Sequence, residues 1–125
     1  MSGPLHGVVV CHGDVARSLI SAAEEISGIR GACTAVSNTG CDRGQLEERI
    51  VAAVAGRPTV VFVDMPSGSC LFAAMRRVSS MPETAVVTGV NLAMLLEFLF
   101  HRDLTAADAA ARAVETATRA IGVRP

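Results

Sequence analysis

Apolar residues in this chain fall into two kinds of stretch that alternate along its length. Four stretches are short and nearly continuous: Gly7-Val8-Val9-Val10-Cys11, Cys33-Thr34-Ala35-Val36, Thr59-Val60-Val61-Phe62-Val63 closed by Asp64, and Thr84-Ala85-Val86-Val87-Thr88. Their β-branched content and unbroken hydrophobicity predict strands buried on both faces. Between them, apolar residues recur three or four positions apart, which predicts helices. The first helix is expected over residues 15–27, with Asp14 as N-cap, an apolar face of Val15, Leu19, Ala22, Ala23 and Ile26, and Gly28 as the stop. Asp42, with Gln45 three positions on, has the form of a capping box for a second helix, whose face is Leu46, Ile50, Ala53 and Val54. Ser69 is the expected cap of a third, holding Leu71, Ala74, Met75 and Val78. A fourth carries the stripe Leu92, Leu95, Leu96 and Leu99. Thr105 opens a last one, to about residue 121, with Ala110, Val114, Ala117 and Ile121 facing inward.

Four strands, each followed by a helix, imply right-handed crossovers and an α/β fold. The expected architecture is a doubly wound, mainly parallel four-stranded sheet in the order 2-1-3-4, with helices on both faces. No repeat or low-complexity linker divides the chain, so residues 1–125 are expected to form a single domain. In that order, the loops after strands one and three diverge and open a crevice at the carboxyl ends of the strands. His12 closes strand one and Asp64 closes strand three, so both belong at that crevice.

Composition narrows the chemistry. The net charge is −1, which leaves no electrostatic footprint for nucleic acid, and no apolar run approaches the ~20 residues of a membrane span. Met1-Ser2-Gly3-Pro4 lacks the basic start of a signal peptide, and a soluble cytoplasmic protein without membrane insertion is expected. All eleven basic side chains are arginine. The absence of lysine removes a P-loop lysine, a Schiff base and a lysine general base from consideration. The four cysteines contain no C-x-x-C pair and are expected to be reduced. Cys11, Cys41 and Cys70 would nevertheless lie near strand ends with His12, so a metal-binding module remains a distant alternative.

An imidazole beside the unpaired N–H groups of a helix N-terminus can carry a phosphoryl group, because those groups favour an anion. Gly13 contributes such an N–H. A carboxylate bonded to one ring nitrogen fixes the tautomer and leaves the other free to act, and Asp64 suits that role. The turn Ser67-Gly68-Ser69 could supply hydroxyl and backbone donors to phosphate oxygens. Taken singly, a strand-end histidine, a surface aspartate and a serine turn are all commonplace; their joint placement at the crevice favours function. A receiver domain would need an acidic pair after strand one and a later lysine, and Asp14 stands alone. A flavodoxin would need a Ser/Thr-rich loop where Gly13-Asp14-Val15-Ala16-Arg17 stands.

Three segments together carry a resemblance: Val9-Val10-Cys11-His12-Gly13, Phe62-Val63-Asp64-Met65-Pro66-Ser67-Gly68-Ser69 with Ala73-Ala74 beyond, and Thr88-Gly89-Val90-Asn91-Leu92-Ala93-Met94-Leu95. The chain resembles the enzyme IIA domain of the mannose family of the phosphoenolpyruvate-dependent sugar phosphotransferase system, over nearly its whole length. The resemblance implies that His12 takes a phosphoryl group from phospho-HPr and hands it to an enzyme IIB domain. Asp64 would be its paired carboxylate and Ser69 the phosphate-side hydroxyl, with no metal, nucleotide or other cofactor. It also implies a homodimer, although the tail Gly122-Val123-Arg124-Pro125 is short for the exchanged C-terminal strand of family members. The family usually has a glycine pair and a proline around that serine, where this chain has Ser67-Gly68-Ser69-Cys70. Two further roles fit the same fold, a regulatory phosphoacceptor and the phosphocarrier of a dihydroxyacetone kinase.

Overall fold

In the computed structural model, which describes residues 4–125, the short apolar runs become β1 (His6–Cys11), β2 (Cys33–Ser37), β3 (Thr59–Val63) and β4 (Thr84–Thr88). Met1, Ser2 and Gly3, read above as part of a start unlike a signal peptide, lie outside the described residues. The strands pair in the order β2-β1-β3-β4, and every pairing is parallel. The expected architecture is therefore observed. Five helices connect and flank the strands: α1 (Val15–Ser27), α2 (Arg43–Val54), α3 (Ser69–Val78), α4 (Leu92–Leu99) and α5 (Ala106–Arg119).

The alternation of side chains along β1 and β3 divides the core in two. Val9, Cys11, Val60 and Phe62 face a layer made by α1, α4 and α5, whereas Val8, Val10, Val61 and Val63 face α2 and α3. Both faces are apolar, which is why these strands read as continuous hydrophobic runs.

Helix positions hold, but three of the buried stripes are rotated from expectation. In α1 the buried residues are Ala16, Ile20 and Ala23, while Val15 and Ile26 are exposed. In α5 they are Ala106, Ala109, Ala110, Ala113 and Ala117; Val114 is exposed, and Ile121, also exposed, lies beyond the helix end. In α3, Cys70, Ala73, Ala74 and Val78 are buried and Met75 is exposed. The common reason is steric. A face rich in alanine lets a helix approach the sheet closely, so small residues take most of the inner positions, with Ile20 in α1 and Val78 in α3 as the larger exceptions. Helix α4, which packs on α1 and α5, buries Met94, Leu95, Phe98 and Leu99 and keeps Leu92 and Leu96 partly buried.

Capping follows the sequence at α2, where Asp42 and Gln45 form the reciprocal box. Asn91 and Thr105 cap α4 and α5 by accepting from Met94 and Asp108 N–H. It departs at two places. Asp14 occupies the N-cap position of α1 without capping it, its carboxylate accepting instead from Arg17. At α3 the cap is Gly68, at φ 96°, and Ser69 is the first helical residue.

Two residues at the start of β1 are fixed by their surroundings. His6 is buried, with Nε2 2.7 Å from Thr34 Oγ1, and burial, aided by Arg57 and Arg102, pushes its pKa down to about 4. Gly7 lies where a Cβ would fall 2.8 Å from Cys33 Sγ and 2.9 Å from Phe98 Cε2. Phe98 cannot easily yield, because its ring stands edge-on to Phe62 at a centroid distance of 5.2 Å. Gly7→Ala should therefore destabilise the fold by about 1–3 kcal/mol, as overpacking does. Chemical denaturation measures this, and Phe98→Leu in the same chain should recover part of the loss; an unchanged midpoint would refute the close-packing account.

Candidate functional site

β1 and β3 are neighbours with Val10 opposite Val63, so the residues just past their ends are carried to the same edge of the sheet. His12 follows β1 directly and Asp64 follows β3 directly. Asp64 Oδ2 accepts two hydrogen bonds from the one histidine, from its backbone N–H at 2.9 Å and from ring Nδ1 at 2.8 Å. Desolvation alone would raise the Asp64 pKa. The His12 backbone N–H, the ring contact and the charge of the imidazole outweigh it and hold the carboxyl below its ordinary value. An ionised carboxylate can only accept, so Nδ1 carries the proton and a neutral ring keeps its lone pair on Nε2. The His12 side chain is 41% exposed and that of Asp64 15%, so the pair is anchored inside and open on the imidazole side.

The loops around the pair are tied together. Gly13, at φ 57°, donates its N–H to Asn38 Oδ1 at 3.2 Å and accepts from Ser37 Oγ at 2.8 Å. Arg49 in turn donates to the carbonyls of Ser37 and Thr39. Asn38 thus engages the N–H that the sequence assigned to phosphate. Its part was hidden in a run read only as turn residues, Ser37-Asn38-Thr39-Gly40-Cys41. Ser67, Gly68 and Ser69 are exposed at the start of α3. There the first intrahelical bond runs from Phe72 N–H to Gly68 C=O, so the N–H groups of Ser69, Cys70 and Leu71 precede it. Among the described residues, neither the Ser67 nor the Ser69 hydroxyl bonds to His12 or Asp64.

Cys70 is the third side chain at the pair. Its Sγ is buried and 3.8 Å from His12 Nδ1. Burial and the neighbouring Asp64 push its thiol up to about 11, and the same influences take Cys11 to about 12, so both are protonated. The cysteine-rich set considered in the sequence does not come together as a whole. Cys11 is fully buried among the α1, α4 and α5 core residues, and the Cys41 thiol donates to Asn38 C=O. A depression lined by Asp42, Gln45 and Arg49 among others lies along α2 and includes none of these groups.

The family model for the PTS system fructose IIA component matches residues 7–115. The chain belongs to this PTS IIA family. The solved structures agree in fold. A Klebsiella pneumoniae protein described as a phosphoenolpyruvate-dependent sugar PTS permease superposes with a TM-score of 0.85 at 22% identity, covering 98% of this chain and 93% of that one. The mannose/sorbose specific IIA subunit from Enterococcus faecalis gives 0.84 at 20% identity, covering 98% and 96%. A sigma-54 interaction domain protein from Enterococcus faecalis gives 0.76 at 16% identity, covering 96% and 95%. Comparison with curated protein sequences finds no match. Within this IIA chain no helix of the described residues is long and apolar enough to cross a membrane.

The depressed pKa of Asp64 makes the pair a stability term with a defined sign. A carboxyl more acidic in the folded state contributes stability that is complete above its unfolded pKa, near ~4, and is lost as pH falls through the folded value. Wild-type protein should therefore lose stability toward acid more steeply than Asp64→Asn. Denaturation midpoints between about pH 6 and 2 would show the two curves converging; parallel curves would mean that the carboxylate is not engaged by His12.

Proposed function

We propose that His12 is a phosphoacceptor, that it takes its phosphoryl group from phospho-HPr, and that it passes it to an enzyme IIB domain in sugar uptake. The observation that carries this reading is the pair of hydrogen bonds that Asp64 Oδ2 accepts from His12, from its backbone N–H and from ring Nδ1, which holds the ring with Nε2 outward. The Nε2 lone pair attacks phosphorus, the bond from phosphorus to the donor breaks, and its electron pair leaves with the donor. The imidazole gains positive character, which the Asp64 carboxylate stabilises. Phosphate oxygens would be met by Ser67, Gly68, Ser69 and the α3 N-terminal N–H groups, whereas the Gly13 N–H could join them only by leaving Asn38 Oδ1. Little more is required, because phosphoryl transfer rests on positioning and charge stabilisation. On this reading residues 1–125 act as one cytoplasmic domain, with HPr and enzyme IIB as its transient partners and a second copy as its dimer mate.

The other two histidines are poorly placed. His6 is buried at the entry of β1, at the opposite edge of the sheet. His101 follows α4 with Nδ1 against the Glu97 carboxylate, where an incoming phosphate would be repelled. Likeness to the sigma-54 interaction domain protein favours a second reading, a regulatory phosphoacceptor on the same histidine. A phosphocarrier of a dihydroxyacetone kinase would use the same chemistry. Genes for IIB, IIC and IID components beside this one would decide for sugar uptake.

Incubation with phosphoenolpyruvate, enzyme I and HPr, followed by mass spectrometry of the acid-labile phosphate, should place the label on His12. His12→Ala should abolish it; robust labelling of that variant, or none of the wild type with a cognate HPr, would defeat the assignment. Asp64→Asn should keep the fold but slow labelling by at least about tenfold, because an amide can present the wrong hydrogen-bonding group to Nδ1. Labelling at the wild-type rate would make the pairing incidental.

A further inference from the structure

His12, Asp64 and Cys70 arrive from three separate elements, the ends of β1 and β3 and the first turn of α3. Each offers a metal-binding atom, and the three atoms lie within 4.8 Å of one another. We propose that imidazole, carboxylate and thiolate here form a zinc(II) site, and that the metal holds His12 in a form unable to accept phosphate. The second half of this statement rests on the phosphoacceptor reading; the first does not.

Three observations support the site. The first is spacing. Around tetrahedral zinc, with bonds of ~2.0–2.3 Å, nitrogen and oxygen ligands stand ~3.4 Å apart, and nitrogen and sulfur ~3.5 Å. Here Nδ1 is 3.8 Å from Cys70 Sγ, roughly 0.3 Å beyond that value, and 2.8 Å from Asp64 Oδ2, a hydrogen-bond distance that opens by roughly 0.6 Å when the metal replaces the proton between them. Secondly, Asp64 Oδ1 is buried without a hydrogen-bond partner, which leaves the carboxylate with unused acceptor capacity at its inner end. Thirdly, the imidazole is half-exposed, so a cation can enter and a water can complete the coordination.

The donor set selects the metal. Magnesium and calcium require oxygen ligands, whereas thiolate with imidazole and one carboxylate suits zinc. Binding replaces the Cys70 S–H proton with a metal–sulfur bond and releases that proton to solvent. The imidazole loses no proton. It takes the metal on Nδ1, and its single N–H moves to Nε2. The lone pair that would attack phosphorus is then gone.

The experiment titrates the reduced, chelator-stripped full chain with zinc chloride by calorimetry, in buffers of different ionisation enthalpy. One equivalent should bind with release of one proton, and cobalt(II) in its place should give a thiolate-to-metal charge-transfer band in the near ultraviolet. Cys70→Ala and His12→Gln should each weaken binding at least about a hundredfold, since even outer-shell changes can reach that size. Cys41→Ala should not. If Cys70→Ala fails to fold by circular dichroism, His12→Gln, which alters a half-exposed side chain, decides. Absence of saturable binding, absence of the cobalt band, or affinity unchanged in His12→Gln overturns the site. Labelling by phospho-HPr is run separately, in chelator and with zinc. Loss of labelling only with zinc supports the block, and full labelling of zinc-loaded protein overturns it. Zinc binding by a chain that chelator-treated HPr mixtures never label would instead defeat the phosphoacceptor reading and leave the metal site standing.

Discussion

A single carboxylate oxygen organises this end of the molecule. Asp64 Oδ2 receives both the backbone N–H and the ring nitrogen of His12, so one acceptor fixes the direction of the chain after β1 and the orientation of the imidazole. Neither effect is available without the other strand. β3 must lie beside β1, in parallel and with Val10 opposite Val63, for the two strand ends to come level. The same burial that would disfavour the charge on Asp64 strengthens these bonds, and the net result is a carboxyl more acidic than an isolated one.

That register depends in turn on how closely the layers approach. Gly7 in β1 leaves room for the Phe98 ring, which rests edge-on against Phe62 in β3. On this face α5 contributes an all-alanine inner surface, and on the other α3 contributes Ala73 and Ala74. Substituting larger residues at these places would lift a helix from the sheet and loosen the strand ends below the site. A second tie runs across the crevice mouth, where Asn38 and Ser37 hold Gly13 from the β2 side and Arg49 holds the Ser37 and Thr39 carbonyls. The His12 loop is therefore braced from β3 through Asp64 and from β2 through Asn38.

The thiol of Cys70 gives this site a chemistry that phosphoryl transfer does not need. It is buried, protonated and in contact with the histidine ring, so it is no nucleophile as it stands. Such a group is inert until something displaces its proton. The carboxylate that suppresses ionisation of the thiol is also the group a cation would share with it. The same three side chains can thus serve a proton or a metal, with opposite consequences for the imidazole.

The sequence alone determined the elements, their order and their connectivity. Short, continuous β-branched runs read as strands, of which the central pair β1 and β3 is buried on both faces while the edge strands β2 and β4 are partly exposed, and four strand–helix alternations imply parallel pairing around a switch point. It therefore determined that His12 and Asp64 sit at neighbouring strand ends, because each terminates an apolar run and the topology supplies the adjacency. It placed the inner face of α2 at Leu46, Ile50, Ala53 and Val54, all buried, but did not determine which side of α1, α3 and α5 is inward. Hydrophobicity ranks Val15, Val114 and Met75 above alanine, but interlayer distance is a property of the packed pair, and closeness selected Ala16, Ala113 and Ala73 instead. Nor did it reveal Asn38 or the contact of Cys70 with the ring, since both depend on where loops from separate strands meet, and no local pattern records that. Distances of a few ångströms between residues far apart in sequence were decided by tertiary structure alone.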